Sequence, residues 1–313
     1  MRARIPLLLT LFSAGLAGGL RADSRVEKTL KLDPGGRFVL DTDDGAVSVA
    51  GTSGSAARVV FASPRSDLED RLAIRFEAGP GSVRVTAKNR RRGWFEHGNG
   101  RVRVTVEVPF QTAVEIHTAG GSIDVRDLRA PATLRTSGGA LSAEGLAGDL
   151  DAETSGGSIA LRDIRGSGRV RTSGGGIEAI KIEGSLDAGS SGGSVEVQQI
   201  SGDLRAHSSG GPIRITEAGG RIDADTSGGG IRASFARGNS KGGHLESSGG
   251  GITVSVDPAA RLSIDADGDS VDTDLPLEVR GSFSHGSLHG RLNGGGGSLR
   301  VETSGGSVRI RAL

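Results

Sequence analysis

The segment Lys88 to Gly100, KNRRRGWFEHGNG, gathers the side chains best suited to gripping a ligand. Arg90, Arg91 and Arg92 run together just before Trp94, the only tryptophan of the chain, and Phe95. Guanidinium groups beside aromatic rings bind anionic glycans, lipid headgroups or acidic protein surfaces through ionic and cation-π contacts. The segment lies between a strand containing Val83 and Val85 and one starting at Arg101, and it is long for a hairpin connection, which usually takes about two to five residues. A second reading fits the same residues: Trp94 and Phe95 fold back as a lid over the end of the structure, and the arginines solvate the turn.

Other groups are less suited to chemistry. Asp265, Asp267, Asp269, Asp272 and Asp274 form the densest acidic cluster, but an EF-hand loop starting at Asp265 needs Gly at position 270 and Glu at 276, where Ser270 and Pro276 stand. The expectation is a solvated turn and no metal. His97, His117, His207, His244, His285 and His289 are scattered, without the carboxylate spacing of a zinc site. Serines such as Ser155 and Ser173 recur at a fixed period, which marks a structural turn, whereas a nucleophile should be singular and stand beside a base. His207 precedes Ser208 and Ser209, and Asp225 could orient it or simply pair with it. No catalytic residue, metal ligand or cofactor is assigned.

The positioning elements are announced by glycine. Gly-Gly pairs begin at Gly120, Gly138, Gly156, Gly174, Gly192, Gly210 and Gly228, an unbroken eighteen-residue period. A fixed short period with alternating apolar residues describes one β unit stacked on copies of itself. One apolar column holds Ile123, Leu141, Ile159, Ile177, Val195, Ile213 and Ile231, and a second stands two residues further on, on the same strand face. A third column, Leu128, Leu146, Ile164, Ile182 and Ile200, lies past a corner. Thr118, Thr136, Thr154, Thr172, Ser190, Ser208 and Thr226 precede the glycine pairs, and stacked hydroxyls can satisfy one another there. Gly148, Gly166, Gly184, Gly202 and Gly220 mark a second bend, and glycine suits both bends through positive φ and close backbone approach.

The outward residues argue for register. Asp151, Arg169, Asp187, Arg205 and Asp223 alternate in sign at the repeat period, so opposite charges face one another if rungs lie about 4.8 Å apart. The predicted fold is all-β, a parallel β-helix or β-solenoid with eighteen-residue rungs and irregular β caps at both ends. Residues 118–250 form the regular repeats, with candidate strands at Val26 to Leu32, Arg37 to Asp41, Ala57 to Ala62, Ala73 to Ala78, Ser82 to Ala87 and Arg101 to Val108 before them. Residues 23–117 thus carry the N-terminal cap and 251–313 the C-terminal one. A right-handed coil is expected, although a turn of this length also suits a left-handed triangular coil.

Composition agrees with narrow rungs: 54 glycines accompany eight Phe, one Trp and no Tyr. Residues 1–22 read as a cleaved secretory signal, with Arg2 and Arg4 before the apolar run Ile5 to Leu20. Its removal takes three arginines and moves the formal charge from +1 to −2, which offers nucleic acid no general attraction. There are no cysteines, hence no disulfides.

The chain resembles the bacterial putative adhesin domain family. The resemblance is carried by Asp33-Pro34-Gly35-Gly36 before a strand, Val108-Pro109 before the repeats, the serial Thr-Ser-Gly-Gly motifs, and the ending Gly294 to Gly297, Leu299, Val301 and Thr303 to Gly306. It implies a β-helix-like solenoid outside the cytoplasm, periplasmic, surface-exposed or secreted, with no catalytic residues to carry over. The expected function is that of a monomeric, non-enzymatic adhesin-like module whose partner is an envelope polysaccharide or a membrane or cell-surface protein. The alternatives are an envelope sensing or scaffold protein working with a membrane partner, and a polysaccharide-active β-helix enzyme.

Overall fold

The computed structural model describes residues 24–64, 68–90, 102–279 and 286–313. Their alternation of apolar and polar residues is realised rung by rung. In one rung, Leu150, Ala152 and Thr154 point inward from the strand Leu150–Thr154, the chain turns through Ser155 to Ser158, and Ile159 and Leu161 point inward from the strand Ile159–Arg165. A bend and a second glycine corner then lead to Gly168–Thr172, directly above the starting strand.

Repetition of this unit builds two long sheets, of 14 and 15 strands among the described residues. Parallel pairing at an offset of one repeat runs without a slip from Leu134↔Ala152 through Ala206↔Ala224. The parallel stack also reaches into residues 37–52: Arg37–Thr42 pairs with Ala113–Thr118, and Ala46–Thr52 with Ile123–Arg126. Antiparallel strands close both ends. Ser24–Lys31 lies on Ala56–Ser63 and Leu72–Gly79 on Ser82–Asn89, while Leu262–Asp267 pairs with Ser287–Leu292 at the other end. The N-terminal edge strand SRVEKTLK alternates half-buried with exposed residues and carries four charges, which discourages pairing with another chain.

The core is filled by size matching. At the middle inward positions of successive rungs, Leu134 accompanies Ala143, Ala152 accompanies Leu161, Val170 accompanies Ala179, and Ala206 accompanies Ile215, all buried. In these layers one small and one larger residue fill the space between the two sheets, whereas Ala224 and Ala233 pair two small residues. The large aromatics Phe61 and Phe76 sit at the N-terminal end, where they meet edge to face with centroids 6.4 Å apart.

Two corner details differ from the expectation. The buried hydroxyls do not bond to one another: each ties the backbones of two rungs. Thr154 Oγ1 donates to the Gly139 carbonyl of the preceding rung (2.8 Å) and accepts from the Gly157 amide of its own (3.2 Å). Thr172, Ser190, Ser208 and Thr226 repeat this pattern. The second glycine of each pair is required by crowding and not by φ, since a Cβ on Gly157 would lie 2.0 Å from the Gly139 oxygen. Positive φ belongs instead to the other corners, at Gly166 (143°) and Gly184 (149°), and to a further column of mixed residue types. Asp127, Asp163, Lys181, Gln199 and Glu217 are all left-handed, with φ between 53° and 60°, and Gly145 shares the column at 67°. This left-handed residue makes the bend that returns Leu128, Leu146, Ile164, Ile182 and Ile200 to the core.

Candidate functional site

The outer face of the 15-stranded sheet is a broad polar trough. Because strand side chains alternate and rungs stack in register, each outward position becomes a row along the stack. The row Asp151, Arg169, Asp187, Arg205 and Asp223 is formed by direct ladder neighbours, as its alternating signs require. The row beside it runs Arg135, Glu153, Arg171, Gly189, His207 and Asp225. Ion pairs cross between rows: Arg135 reaches Asp151 at 3.1 Å and also meets Glu153, and Arg171 reaches Asp187 at 2.6 Å. The absent side chain at Gly189 makes room for this, since a Cβ there would meet Arg171 Cδ at 3.0 Å.

Three depressions mark the trough. One of about 600 Å3 is bordered by the alternating row from Asp151 to Asp223, one of about 380 Å3 by Arg171, Arg205 and His207, and one of about 420 Å3 by Asp41, Asp43, Lys88, His117 and Arg135. All are open to solvent, and the first also carries Leu150, Leu186 and Leu204 between its charges.

The third depression reaches the start of the basic and aromatic segment. Lys88 Nζ lies 2.8 Å from Asp41 and 3.0 Å from Asp43, and the Asp41 carboxylate, followed by that of Asp43, holds the ammonium above its ordinary pKa. The Asn89 amide donates to Asp43 at 3.0 Å and the Arg90 amide to the Arg71 carbonyl at 2.8 Å. Arg90 is exposed, with Nε 3.4 Å from the Leu72 carbonyl. Arg91, Arg92, Trp94 and Phe95 lie outside the described residues. The flanking strands are consistent with a connection too long for a hairpin. Ser82–Asn89 belongs to the 15-stranded sheet and Arg103–Pro109 to the 14-stranded one, so the two strands that flank it lie on different sheets. In each regular rung the same two sheets are joined by a short corner such as Thr154 to Ser158.

Two hydrogen-bond relays are visible only once the strands are in place. His207 Nδ1 meets Asp225 while its Nε2 lies 3.4 Å from Ser209 Oγ. His289 Nδ1 lies 2.9 Å from Asp265 and its Nε2 3.2 Å from Ser287 Oγ. Both follow from strand geometry, with Ser and His two residues apart on one face and Asp across the ladder. They have the order of a nucleophile, base and orienting carboxylate, but both lie on the open sheet face, with His207 49% and His289 52% exposed. Nucleophilic catalysis further needs preorganised oxyanion donors and a shielded site.

The acidic cluster is divided by the fold. Asp265 and Asp267 lie on the 15-stranded sheet and Asp272 on the 14-stranded one. Arg311 meets Asp272 at 2.7 Å and holds its carboxyl below the usual range, while Asp274 accepts the Ala312 amide at 2.8 Å. Among the described residues, no helix is long and apolar enough to cross a membrane.

The architecture defines a two-sheet parallel β-solenoid with antiparallel ends. The family model for Toastrack DUF4097 matches residues 39–311, and the chain belongs to that family. No curated protein matches it. Among solved structures, it is similar to a putative adhesin from Bacteroides fragilis NCTC 9343, at 11% identity over 95% of this chain and 100% of that one, with a TM-score of 0.40. A putative lipid binding protein from Parabacteroides distasonis ATCC 8503 shows 13% identity over 91% and 96% of the two chains, with a TM-score of 0.41. A putative cell adhesion protein from Clostridium sporogenes ATCC 15579 shows 10% identity over 93% and 100%, with a TM-score of 0.28.

Proposed function

We propose that the protein is a non-enzymatic, adhesin-like binding module of the bacterial cell envelope, exported and acting outside the cytoplasm. Its stack serves as a stiff spacer, and its contact site is the segment Arg90, Arg91, Arg92, Trp94 and Phe95, facing an envelope polysaccharide or a cell-surface protein. The observation that carries the reading is the exchange of a short corner for the long basic and aromatic segment Lys88 to Gly100, whose base is pinned by Lys88 to two aspartates. Everywhere else along the repeats the corner is kept short and packed against its neighbours. A rigid rod of registered rungs holds such a segment at a defined place and adds many weak polar contacts along its faces.

The test is retention of purified protein on isolated envelope fractions and polysaccharides, comparing wild type with Trp94→Ala and with Arg91→Ala/Arg92→Ala. Retention of wild type, lost in both variants with melting temperatures unchanged, is the expected result. A Trp94→Ala variant that melts early but is retained like wild type assigns the aromatics to a lid and overturns the contact site.

A further inference from the structure

On the outer face of the 14-stranded sheet, one row breaks the sign alternation that orders Asp151 to Asp223 on the other face. Arg214 and Arg232 are direct neighbours on Ile213–Ala218 and Ile231–Phe235, and Thr253 and Arg309 continue the same row. Like charges opposed in a ladder destabilise it, so the row is retained at a cost to the fold. The carboxylates stand at its two ends. Glu196 is 3.6 Å from Arg214, while Asp272, next to Arg309 in the ladder, is engaged by Arg311 at 2.7 Å. Among the described residues, Arg232 and Arg309 have no carboxylate within the 4.0 Å of an ion pair. The corner beside them carries Gly230 and Gly251, and a groove of about 280 Å3 opens there with Arg214, Arg232, Thr253 and Arg309 on its wall and Glu196 at its Arg214 end.

We propose that this groove binds an anionic polysaccharide, seating its sulfate, carboxylate or phosphate-ester oxygens on Arg232 and Arg309, with Arg214 and the Thr253 hydroxyl as further donors. Guanidinium groups match such oxyanions with paired N–H donors. The row offers cations one and two strand spacings apart, roughly 5 and 10 Å, so a chain of repeated charges engages all of it, whereas a single anion engages only part. The surroundings favour a soluble polymer over a bilayer: the only exposed large hydrophobic among the described residues is Leu313, leaving no apolar rim to enter lipid. The groove lies on the opposite sheet from the polar trough and its occupancy does not depend on residues 91–101.

Binding of the purified protein to dextran sulfate, with neutral dextran as reference, tests the proposal over a range of salt concentrations. Wild type is expected to bind the sulfated polymer selectively and less tightly as salt rises. Arg232→Gln and Arg309→Gln should each weaken binding at least about tenfold, the scale of one lost charge-assisted hydrogen bond. Arg162→Gln, elsewhere on the same face, should bind like wild type. Arg232→Gln should also melt no lower than wild type, because it relieves the clash with Arg214, so its loss of binding would not be a loss of fold. Equal affinity of wild type and both groove variants overturns the assignment. So does loss in Trp94→Ala alone, or capture on phosphatidylglycerol vesicles without any affinity for dextran sulfate.

Discussion

Two adjacent glycines in one corner should respond oppositely to the same added methyl group. On Gly157 a Cβ would sit 2.0 Å from the Gly139 oxygen, 2.4 Å from its carbonyl carbon and 2.6 Å from the Ala140 nitrogen, well inside the 3.0 Å that real Cβ atoms keep. All three obstacles are backbone atoms of the preceding rung, so no side chain can swing away and the rungs themselves must part. Parting them loosens the Thr154 hydroxyl bridge, whose bonds of 2.8 and 3.2 Å tie those same two glycines. Overpacking costs about 1 to 3 kcal/mol and two weakened hydrogen bonds about 1 kcal/mol each. Gly157→Ala should therefore lose about 3 to 5 kcal/mol, lowering the melting temperature by roughly 10 °C. A Cβ on Gly156 would meet nothing closer than 3.6 Å, and neither glycine has positive φ. Gly156→Ala should stay within about 1 kcal/mol of wild type, on the stabilising side, because it restricts the unfolded chain. Thermal melts followed by far-ultraviolet circular dichroism read both, and hydrogen exchange should place the Gly157→Ala damage in the rungs on either side. Equal melting temperatures, or a worse outcome for Gly156→Ala, would refute the steric account.

The charged rows yield two further expectations. Asp187 lies between Arg169 and Arg205 in the ladder and is 2.6 Å from Arg171, so Asp187→Arg should cost about 1 to 2 kcal/mol through lost pairs and new repulsion. Asp257→Arg makes a poor inert comparison, since Asp257 accepts the Gly238 and Ala259 amides at 2.8 and 2.9 Å. Asp70→Arg on the short helix Leu68–Arg71 serves better, and a variant at position 187 as stable as that one would contradict the register argument. In acid, Glu115 and Glu27 should contribute. Arg37, with help from His117, holds the Glu115 carboxyl below its ordinary 4.5, and Arg58 with Arg25 does so for Glu27. A depressed folded-state pKa stabilises above the unfolded value and is lost as pH falls through the folded one. Melting temperature should thus hold above pH 4.5 and fall below it, with a shallower fall in Glu115→Gln; identical acid profiles would remove the Arg37 pair as a contributor.

The repeat was legible because its rules are one-dimensional. An eighteen-residue period combined with a two-residue side-chain alternation places every inward and outward column, and charge alternation confirms the register. What escaped reading depends on contacts between rungs. Thr154 and Gly157 are visible as a motif, but that the hydroxyl grips the previous rung's carbonyl requires two rungs in space. The left-handed column escaped because Asp127, Asp163, Lys181, Gln199 and Glu217 share a conformation and not a residue type, and only Gly145 among them hinted at it. The strand Ala46–Thr52 is masked by the less regular sequence around it, although Val47 and Val49 alternate inward from it. The arginine row was hidden by an irregular spacing. Arg214 and Arg232 stand one repeat apart, but Arg309 is brought beside Thr253 only because the C-terminal chain returns to the stack.

In a repeat stack, the fold and the function make different demands on outward residues. Register is served by alternating signs, and the face carrying Asp151 to Asp223 uses its charges that way, so those residues need no ligand to account for them. Departures from alternation lack that explanation. The Arg214 and Arg232 pair weakens the ladder it belongs to, and the segment at residues 88–100 replaces a short corner that every neighbouring rung keeps packed. These two departures are basic, whereas Glu178 and Glu196 on one sheet, and Asp225, Glu246 and Glu302 on the other, set carboxylates side by side. Local cation excess in a chain whose formal charge is only +1 selects for anionic groups at defined places without general adhesion to polyanions. The two lie on different parts of one stiff body, so a long anionic partner could engage both only by following the stack, whereas short fragments would report each site separately. Comparing dextran sulfate of increasing chain length against Arg232→Gln and Trp94→Ala would distinguish these cases: affinity that climbs with length and falls in both variants requires the two sites to act together.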